Sequence, residues 1–579
     1  MLNPVLAAKD AAKKAILTAY DKAVEKGALP KAELPDFVVE IPAETTHGDF
    51  AINLALVSAK LLSMSPRKIA ELLEAEIDLK GTVFDKVEVA GPGFINMFLN
   101  GKYYENVVSG VLSEGDGYGR VNVGGGKKYM VEFVSANPTG PMHLGNARGG
   151  ALGDCLASVL DAAGYDVTRE FYVNDAGNQI EKFALSLDAR YMSLYKENIE
   201  FPEDGYQGED ILERAKEFAA INGDSLVDKP VEERKKALVD YALPKNVEGL
   251  KNDLHRYRVD YDVWFFESLL HNNGTVKLVL DKLTENGYTY EKDGALWYKN
   301  SDLLEKKLIA EGKTPEQIAA LELKDEVLVR ANGIPTYFAA DIAYHYNKFN
   351  ERGFDTVINV WGADHHGHVA RLKGAMDAIG LDGNKLDIVL MQLVRLVRGG
   401  EQVRMSKRTG KAITLNVLLE EIPIDAARFF FNLREPKSHF DFDLDLAVSE
   451  SSDNPVYYVQ YAHARICSIL KNLKAEGIDV ENPSSADLSL LKASDEIALI
   501  KHLSLLPSEI TAAAKEYDPA RITRYTVDLA TAFHRFYTNC RVKDSDMALC
   551  KARTALCIAT RQVIKNCLTL LKITAPETM

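Results

Sequence analysis

Hydrophobic positions change period along the chain, and the changes mark its organisation. Over residues 1–112, helical spacing alternates with short apolar runs broken by two glycine turns, His47–Phe50 and Gly91–Phe94. That predicts a small α+β domain. Six glycines between 115 and 128 punctuate the chain before an apolar run, Tyr129–Val134, predicted to be a buried strand. A turn-rich segment follows, and then a helical pattern from about Leu144, with Leu152, Leu156, Val159, Leu160 and Ala163 on one stripe. Gly164 stops it, and Val167–Val173 reads as the next strand. Strand, helix and strand in this order form a βαβ unit, which implies a parallel sheet with its ligand crevice at the strands' carboxyl ends. A second such unit begins at Thr356–Trp361, turns at Gly362 and enters a helix near Gly367; a third strand, Asp387–Leu390, leads toward a basic turn at 404–411. The roughly 180 residues between the first and second units are too many for an ordinary crossover, so an insertion is expected at about 180–330. From 449 onward the spacing is helical, ending in two long segments at 521–542 and 547–572. An all-α bundle is expected there. The resulting division is 1–112, 125–448 and 449–579.

The 579 residues exceed what one hydrophobic core sustains, in keeping with several domains. Hydrophobic residues at 46% and charged residues at 26% are near globular averages and exclude wholesale disorder. Formal charge is −15, which taken alone argues against a nucleic-acid partner. Its distribution changes that picture. Residues 501–579 carry 12 Lys or Arg against 7 acids, and residues 391–411 carry six against one, so the remaining body is strongly acidic and the basic surplus is local. Six cysteines form no CxxC pair and are expected to be reduced core residues. The first residues, MLNPVLAAKDAAKKAILTAY, lack a signal-peptide pattern, and no stretch reaches the roughly 18 consecutive apolar residues of a membrane span, so a cytoplasmic protein without membrane attachment is expected.

Four segments carry candidate chemistry. In Ser135–Asn146 (SANPTGPMHLGN) a strand opens onto Asn, Thr, Gly and His at a helix N-terminus, which offers backbone N–H groups, a helix dipole and an imidazole to phosphate. The bland alternative is a structural turn with a solvated histidine. Arg404–Lys411 (RMSKRTGK) is a basic loop able to neutralise polyphosphate in a transition state, or simply a solvated one. Gly362–His368 (GADHHGH) invites a metal reading, but adjacent histidines diverge on helix or strand and no partner ligand set has familiar spacing. A nucleotide-lining turn is preferred, and no structural metal is expected. Tyr337 and Asp341 lie four apart, so on a helix they share a face; they could form a structural pair or a pocket for a cation, and a guanidinium's planar donors would suit a carboxylate.

Together, an HxGx turn after the first strand, a Lys-centred MSK loop after the last and a split sheet between them resemble the class I aminoacyl-tRNA synthetases. The finer likeness is to the arginyl-tRNA synthetases in their bacterial form. It rests on EFVSANPTGPMHLGNARGGALGD (132–154), REFYVNDAGNQ (169–179), PTYFAADIAYHYNK (335–348), WGADHHGH (361–368), RMSKRTG (404–410) and NPVYYVQYAHARICS (454–468), and extends through HGDFAIN (47–53), GPGFIN (91–96) and the final ATRQVIKNCLTLLKITAPETM. The resemblance implies a multidomain α/β enzyme: a Rossmann-like parallel-sheet catalytic domain split by a large insertion, an α+β amino-terminal domain contacting tRNA, and a helical anticodon-binding domain. It further implies charging of tRNA(Arg) with L-arginine through arginyl-adenylate, ATP as substrate with Mg2+ as its counterion, and activation that requires bound tRNA. A monomer is expected.

By the same resemblance, His143 and Asn146 take the first and last places of the HIGH signature, and Lys407 the second lysine of KMSKS; these three are the expected catalytic residues. Two departures stand out. Asn146 replaces a histidine and cannot be cationic. Arg404 and Arg408 replace the first lysine and the last serine of the loop signature. The ATP site is expected to comprise His143, Gly145, Asn146, Gly362, Asp364, His365, Met405, Ser406 and Lys407. For arginine, Glu132 and Asn137 are expected near the α-amino and carboxylate end, with Tyr337, Asp341 and Glu267, the last in DVWFFES (262–268), around the guanidinium.

Overall fold

The structure is a computed structural model that describes residues 3–310, 312–319, 323–363, 366–403, 413–544 and 546–579. Its amino-terminal part opens with a helix, Pro4–Glu25, started by Pro4 in the first turn and by the Asn3 side chain, which accepts from the Leu6 N–H at 3.0 Å. Val5, Ala8, Ala12, Ile16 and Ala23 form the buried stripe of that helix. Four strands follow, β1 (Val39–Glu40), β2 (Phe50–Ile52), β3 (Phe84–Ala90) and β4 (Phe94–Leu99), in an antiparallel sheet ordered β1-β2-β4-β3. This is the α+β arrangement expected from the pattern.

The central region contains β5 (Lys128–Glu132), β6 (Asp166–Val173), β7 (Val263–Phe266), a small meander of β8 (Thr289–Lys292), β9 (Ala295–Tyr298) and β10 (Glu326–Val329), then β11 (Thr356–Gly362), β12 (Leu386–Met391), β13 (Val394–Arg398), β14 (Glu401–Gln402) and β15 (Phe440–Asp443). Five of these make one parallel sheet ordered β12-β11-β5-β6-β7. The order turns around between β5 and β11, the switch point at which such sheets open a crevice. Alternate residues face two apolar layers: Val131 and Ile358 join one core, Met130 and Val357 the other.

One expectation is corrected. The stretch 180–330 was read as insertion throughout, yet β7 lies inside it and forms an edge of the central sheet, with Glu170 paired to Val263 and Val173 to Phe266. Four residues are too few to show strand periodicity. The chain therefore leaves the sheet twice, once between β6 and β7 and once between β7 and β11.

The helix after β5, Leu144–Ala162, is buried along most of its length. It lies so close to the sheet that a Cβ on Gly153 would sit 2.1 Å from the Phe133 ring. Its far side is tied to the carboxy-terminal helices Pro455–Ala475, Ser494–Glu516, Ala520–Asn539 and Met547–Leu570. Arg428, fully buried, makes that tie: its guanidinium donates to Asp154 Oδ2 at 2.6 Å, to the Tyr257 carbonyl at 3.0 Å and to the Leu571 carbonyl at 3.0 Å. A buried charge so completely paired is costly to disturb. Among the described residues, no helix is long and apolar enough to cross a membrane.

Candidate active site

The segments that follow β5, β6 and β7 line two neighbouring cavities. The larger, about 710 Å³, is lined by Val134–Asn137, Thr139–Pro141, His143 and Asn146, with Gln179 and Tyr206 opposite. A smaller one, about 230 Å³, is lined by Ala176–Asn178, Glu267, His271 and Tyr337. Consecutive residues of one turn, 176–179, thus wall both. Gln179 donates its backbone N–H to the Tyr337 hydroxyl at 3.2 Å, fixing that phenol at the junction.

The chain enters the larger cavity through an unusual bend. Val134 and Ser135 have φ of 69° and 42°, left-handed values costly for a β-branched residue. The bend returns the Ser135 hydroxyl to donate to Glu132 Oε1 at 3.0 Å while it accepts from the Tyr172 N–H at 3.1 Å. His143 then sits exposed at the amino end of the Leu144–Ala162 helix, and its backbone N–H donates to Asn146 Oδ1 at 3.0 Å. Because the Asn146 oxygen caps the helix, its amide donor is free to turn toward the cavity. An antiparallel bridge joins His143 to Thr414, and Leu415 N–H donates to the Met142 carbonyl at 3.0 Å. The segment that follows the basic loop is thereby anchored on the His143 turn.

The smaller cavity's lining carries one carboxylate, Glu267, and one guanidinium, Arg330. Glu267, 3% exposed, stands just past β7 and accepts from the Tyr172 hydroxyl at 2.8 Å; His271 lies 3.3 Å from its other oxygen. The next residue is pinned to Asp175, which accepts from Ser268 N–H at 2.8 Å and from its hydroxyl at 2.6 Å. Burial raises the Glu267 carboxyl above its ordinary range, Tyr172 and His271 offset part of that, and the Asp341 charge adds to it. Tyr172 is pushed well up by burial and by the charges of Glu267 and Asp341. Asp341 and Tyr337 share the helix Tyr337–Tyr346, as their spacing predicted, and Asp341 Oδ2 is 2.8 Å from His368 Nε2.

Of the expected residues, Asn137, His143 and Asn146 meet in the larger cavity and Glu267 and Tyr337 in the smaller, with Asp341 near Glu267. Gly145 lies in the first turn of the His143 helix, and Gly362 ends β11 in register with Met391. Glu132 lines neither cavity; it is 7% exposed and paired to the Lys348 ammonium at 2.5 Å. Asp364, His365, Met405, Ser406 and Lys407 lie outside the described residues. Four participants carried no role in the sequence reading: Tyr172, Ser135, His271 and Lys348. Ser135, Tyr172 and Lys348 lie within the segments that carry the family resemblance, whereas His271 carries no sequence signal. Among the described residues, no group of three or more His, Cys, Asp or Glu side chains is arranged to hold a metal ion.

A family model described as tRNA synthetases class I (R), catalytic domain, matches residues 107–445, flanked by an arginyl tRNA synthetase N terminal domain over 10–99 and a DALR anticodon binding domain over 459–579. The chain belongs to the arginyl-tRNA synthetases. It is 56% identical over the full length of both chains to the arginine–tRNA ligase of Caldanaerobacter subterraneus subsp. tengcongensis, and 54% identical, again at full coverage, to that of Acetivibrio thermocellus. The solved Thermus thermophilus arginyl-tRNA synthetase shares the fold, with a TM-score of 0.70 over 99% of this chain and 100% of that one at 23% identity. This synthetase is an arginine–tRNA ligase of class I: it uses ATP to join arginine to tRNA.

Proposed function

We propose that L-arginine lies across the two cavities, guanidinium toward Glu267, Tyr337 and Asp341 and α-carboxylate toward Asn137 and His143, where ATP binds along the His143 turn. The observation that carries this orientation is the Glu267 carboxyl, buried at the smaller cavity beside Tyr337 and raised by burial and by the nearby Asp341 charge: a cation bound beside both acids offsets that cost. The arginine carboxylate then attacks the α-phosphorus in line and pyrophosphate leaves, giving arginyl-adenylate; the terminal ribose hydroxyl of tRNA(Arg) then attacks the arginyl carbonyl, and AMP leaves. The task of the protein is positioning and charge stabilisation. His143, the Asn146 amide and Lys407 of the basic loop face the phosphates, and Gly145, Gly362, Asp364, His365, Met405 and Ser406 complete the nucleotide site. Anchoring of Thr414 on His143 supports this, because it brings the loop's exit to the phosphate end. Mg2+ enters with the ATP phosphates, whose oxygens supply the hard ligands it prefers.

The tRNA reading is supported by the carboxy-terminal helices. Tyr457 and Tyr461 stack at 6.1 Å with ring planes 8° apart, and the Arg465 guanidinium lies 4.5 Å from the Tyr461 ring and 5.1 Å from that of Tyr537. Flat aromatic faces beside an arginine suit unstacked bases. The division at 1–112, 125–448 and 449–579 corresponds to tRNA contact, catalysis and anticodon binding, in a cytoplasmic monomer. Charging of total tRNA with each amino acid in turn tests the proposal. Arginine alone should be attached, and lysine or citrulline at a comparable rate would contradict the assignment of Glu267 and Asp341 to the guanidinium.

A further inference from the structure

The helix that carries Tyr337 and Asp341 does not end conventionally; it widens into a π-turn, Asn347–Glu351. Such turns are rare and recur at functional sites. This one carries Lys348, which has no exposed surface. The Lys348 ammonium donates to Glu132 Oε2 at 2.5 Å, lies 3.3 Å from Asn359 Oδ1 and sits 3.9 Å from the centre of the Tyr344 ring. Asn359 continues the chain, its amide donating to His345 Nε2 at 3.1 Å. His345 Nδ1 is 2.8 Å from the Asp341 carbonyl, an acceptor only, so Nδ1 carries the proton and the tautomer is fixed. One unbroken series of hydrogen bonds therefore runs from the Glu132 carboxylate to the backbone of Asp341. Lys348 and His345 line neither cavity, and Glu132 Oε1, which among the described residues accepts from the Ser135 hydroxyl, keeps room for a further donor.

We propose that Lys348 is a positioning residue of the arginine site. It fixes the Glu132 carboxylate at the place that the ammonium end of arginine requires. The inference rests on the reading that Glu132 faces the α-amino group. Lys348 acts through Glu132, so its effect must depend on that carboxylate and on the substrate's ammonium.

The test is arginine-dependent ATP–pyrophosphate exchange with tRNA present, on Glu132→Gln, Lys348→Met and the double variant. Lys348→Met should raise the KM for arginine on the order of tenfold, with the KM for ATP and kcat changed less than about twofold. Inhibition by 5-guanidinopentanoate, which lacks the α-amino group, should be unchanged. In the Glu132→Gln background, Lys348→Met should add nothing further. Additive effects, or equal loss for arginine and the des-amino analogue, would overturn the proposal. If Lys348→Met alone does not fold, the double variant, which removes both buried charges together, is compared with Glu132→Gln: a further rise in arginine KM overturns the proposal and equal values support it. An unchanged arginine KM in Glu132→Gln would remove the reading of Glu132 itself, and the inference with it.

Discussion

The two ends of the site are built on different principles. At the proposed arginine end the candidate groups are the carboxyls of Glu267, Asp341 and Glu132, held in or beside the core, with Tyr172 bonded to Glu267 and with Ser135 and Lys348 bonded to Glu132. The proposed phosphate end offers an exposed histidine, a neutral amide and a helix terminus, with Thr414 bridged to the His143 turn. The difference follows from the ligands. A guanidinium is one fixed planar cation that rewards rigid opposing charge, whereas the triphosphate changes charge distribution during the reaction and is met by donors that strengthen in the transition state. The first end should therefore govern KM for the amino acid, and the second the rate of chemistry.

Separating those two effects is the way to break the comparison. The largest expected change is at the phosphate end: Lys407→Ala should slow adenylate formation by about a hundredfold or more while arginine binding is retained. Single-turnover measurement of the rate alongside equilibrium binding of arginine decides it, and equal loss of both would merge the two ends. A smaller effect concerns pH. Protonation neutralises Glu267, and its affinity for a proton is raised by burial and by Asp341. Arginine binding should weaken as pH falls, seen as an acid-side fall in kcat/KM for arginine that sets in at a higher pH than an ordinary carboxylate would give. The Glu267→Gln variant should lose this slope. The smallest is at the helix cap: Asn146→Ala removes the bond to the His143 N–H and should cost about 1 kcal/mol of stability, read in urea denaturation. An unchanged midpoint would mean that the Asn146 oxygen does not hold the turn.

Legibility in the sequence tracked how local each feature was. The βαβ unit was readable because parallel strands buried on both faces leave continuous apolar runs, and the helix after β5 ends at the predicted Gly164, whose φ is 89°. By contrast β7 is four residues at a sheet edge and left no period to detect. The hairpin between β13 and β14 is absent from the sequence reading although its two-residue Gly399–Gly400 turn, with φ of 58° and 81°, is one of the glycine pairs that such turns favour. Within the site, His143 and Asn146 lie on one turn, and Tyr337 and Asp341 share a helix face, so spacing sufficed for both. Pairing of Glu132 with Lys348 spans 216 residues and exists only once β5 and β11 are neighbours. Charge behaved likewise: a net −15 pointed away from tRNA until its distribution was considered.

The most direct test of the division between the two ends is the pair of Michaelis constants of Asp341→Asn, measured in tRNA-dependent pyrophosphate exchange. Loss of one charge-assisted bond predicts an arginine KM raised by about ten- to a hundredfold with the ATP KM unchanged. An arginine KM that stays put, or an ATP KM that rises with it, would contradict the account.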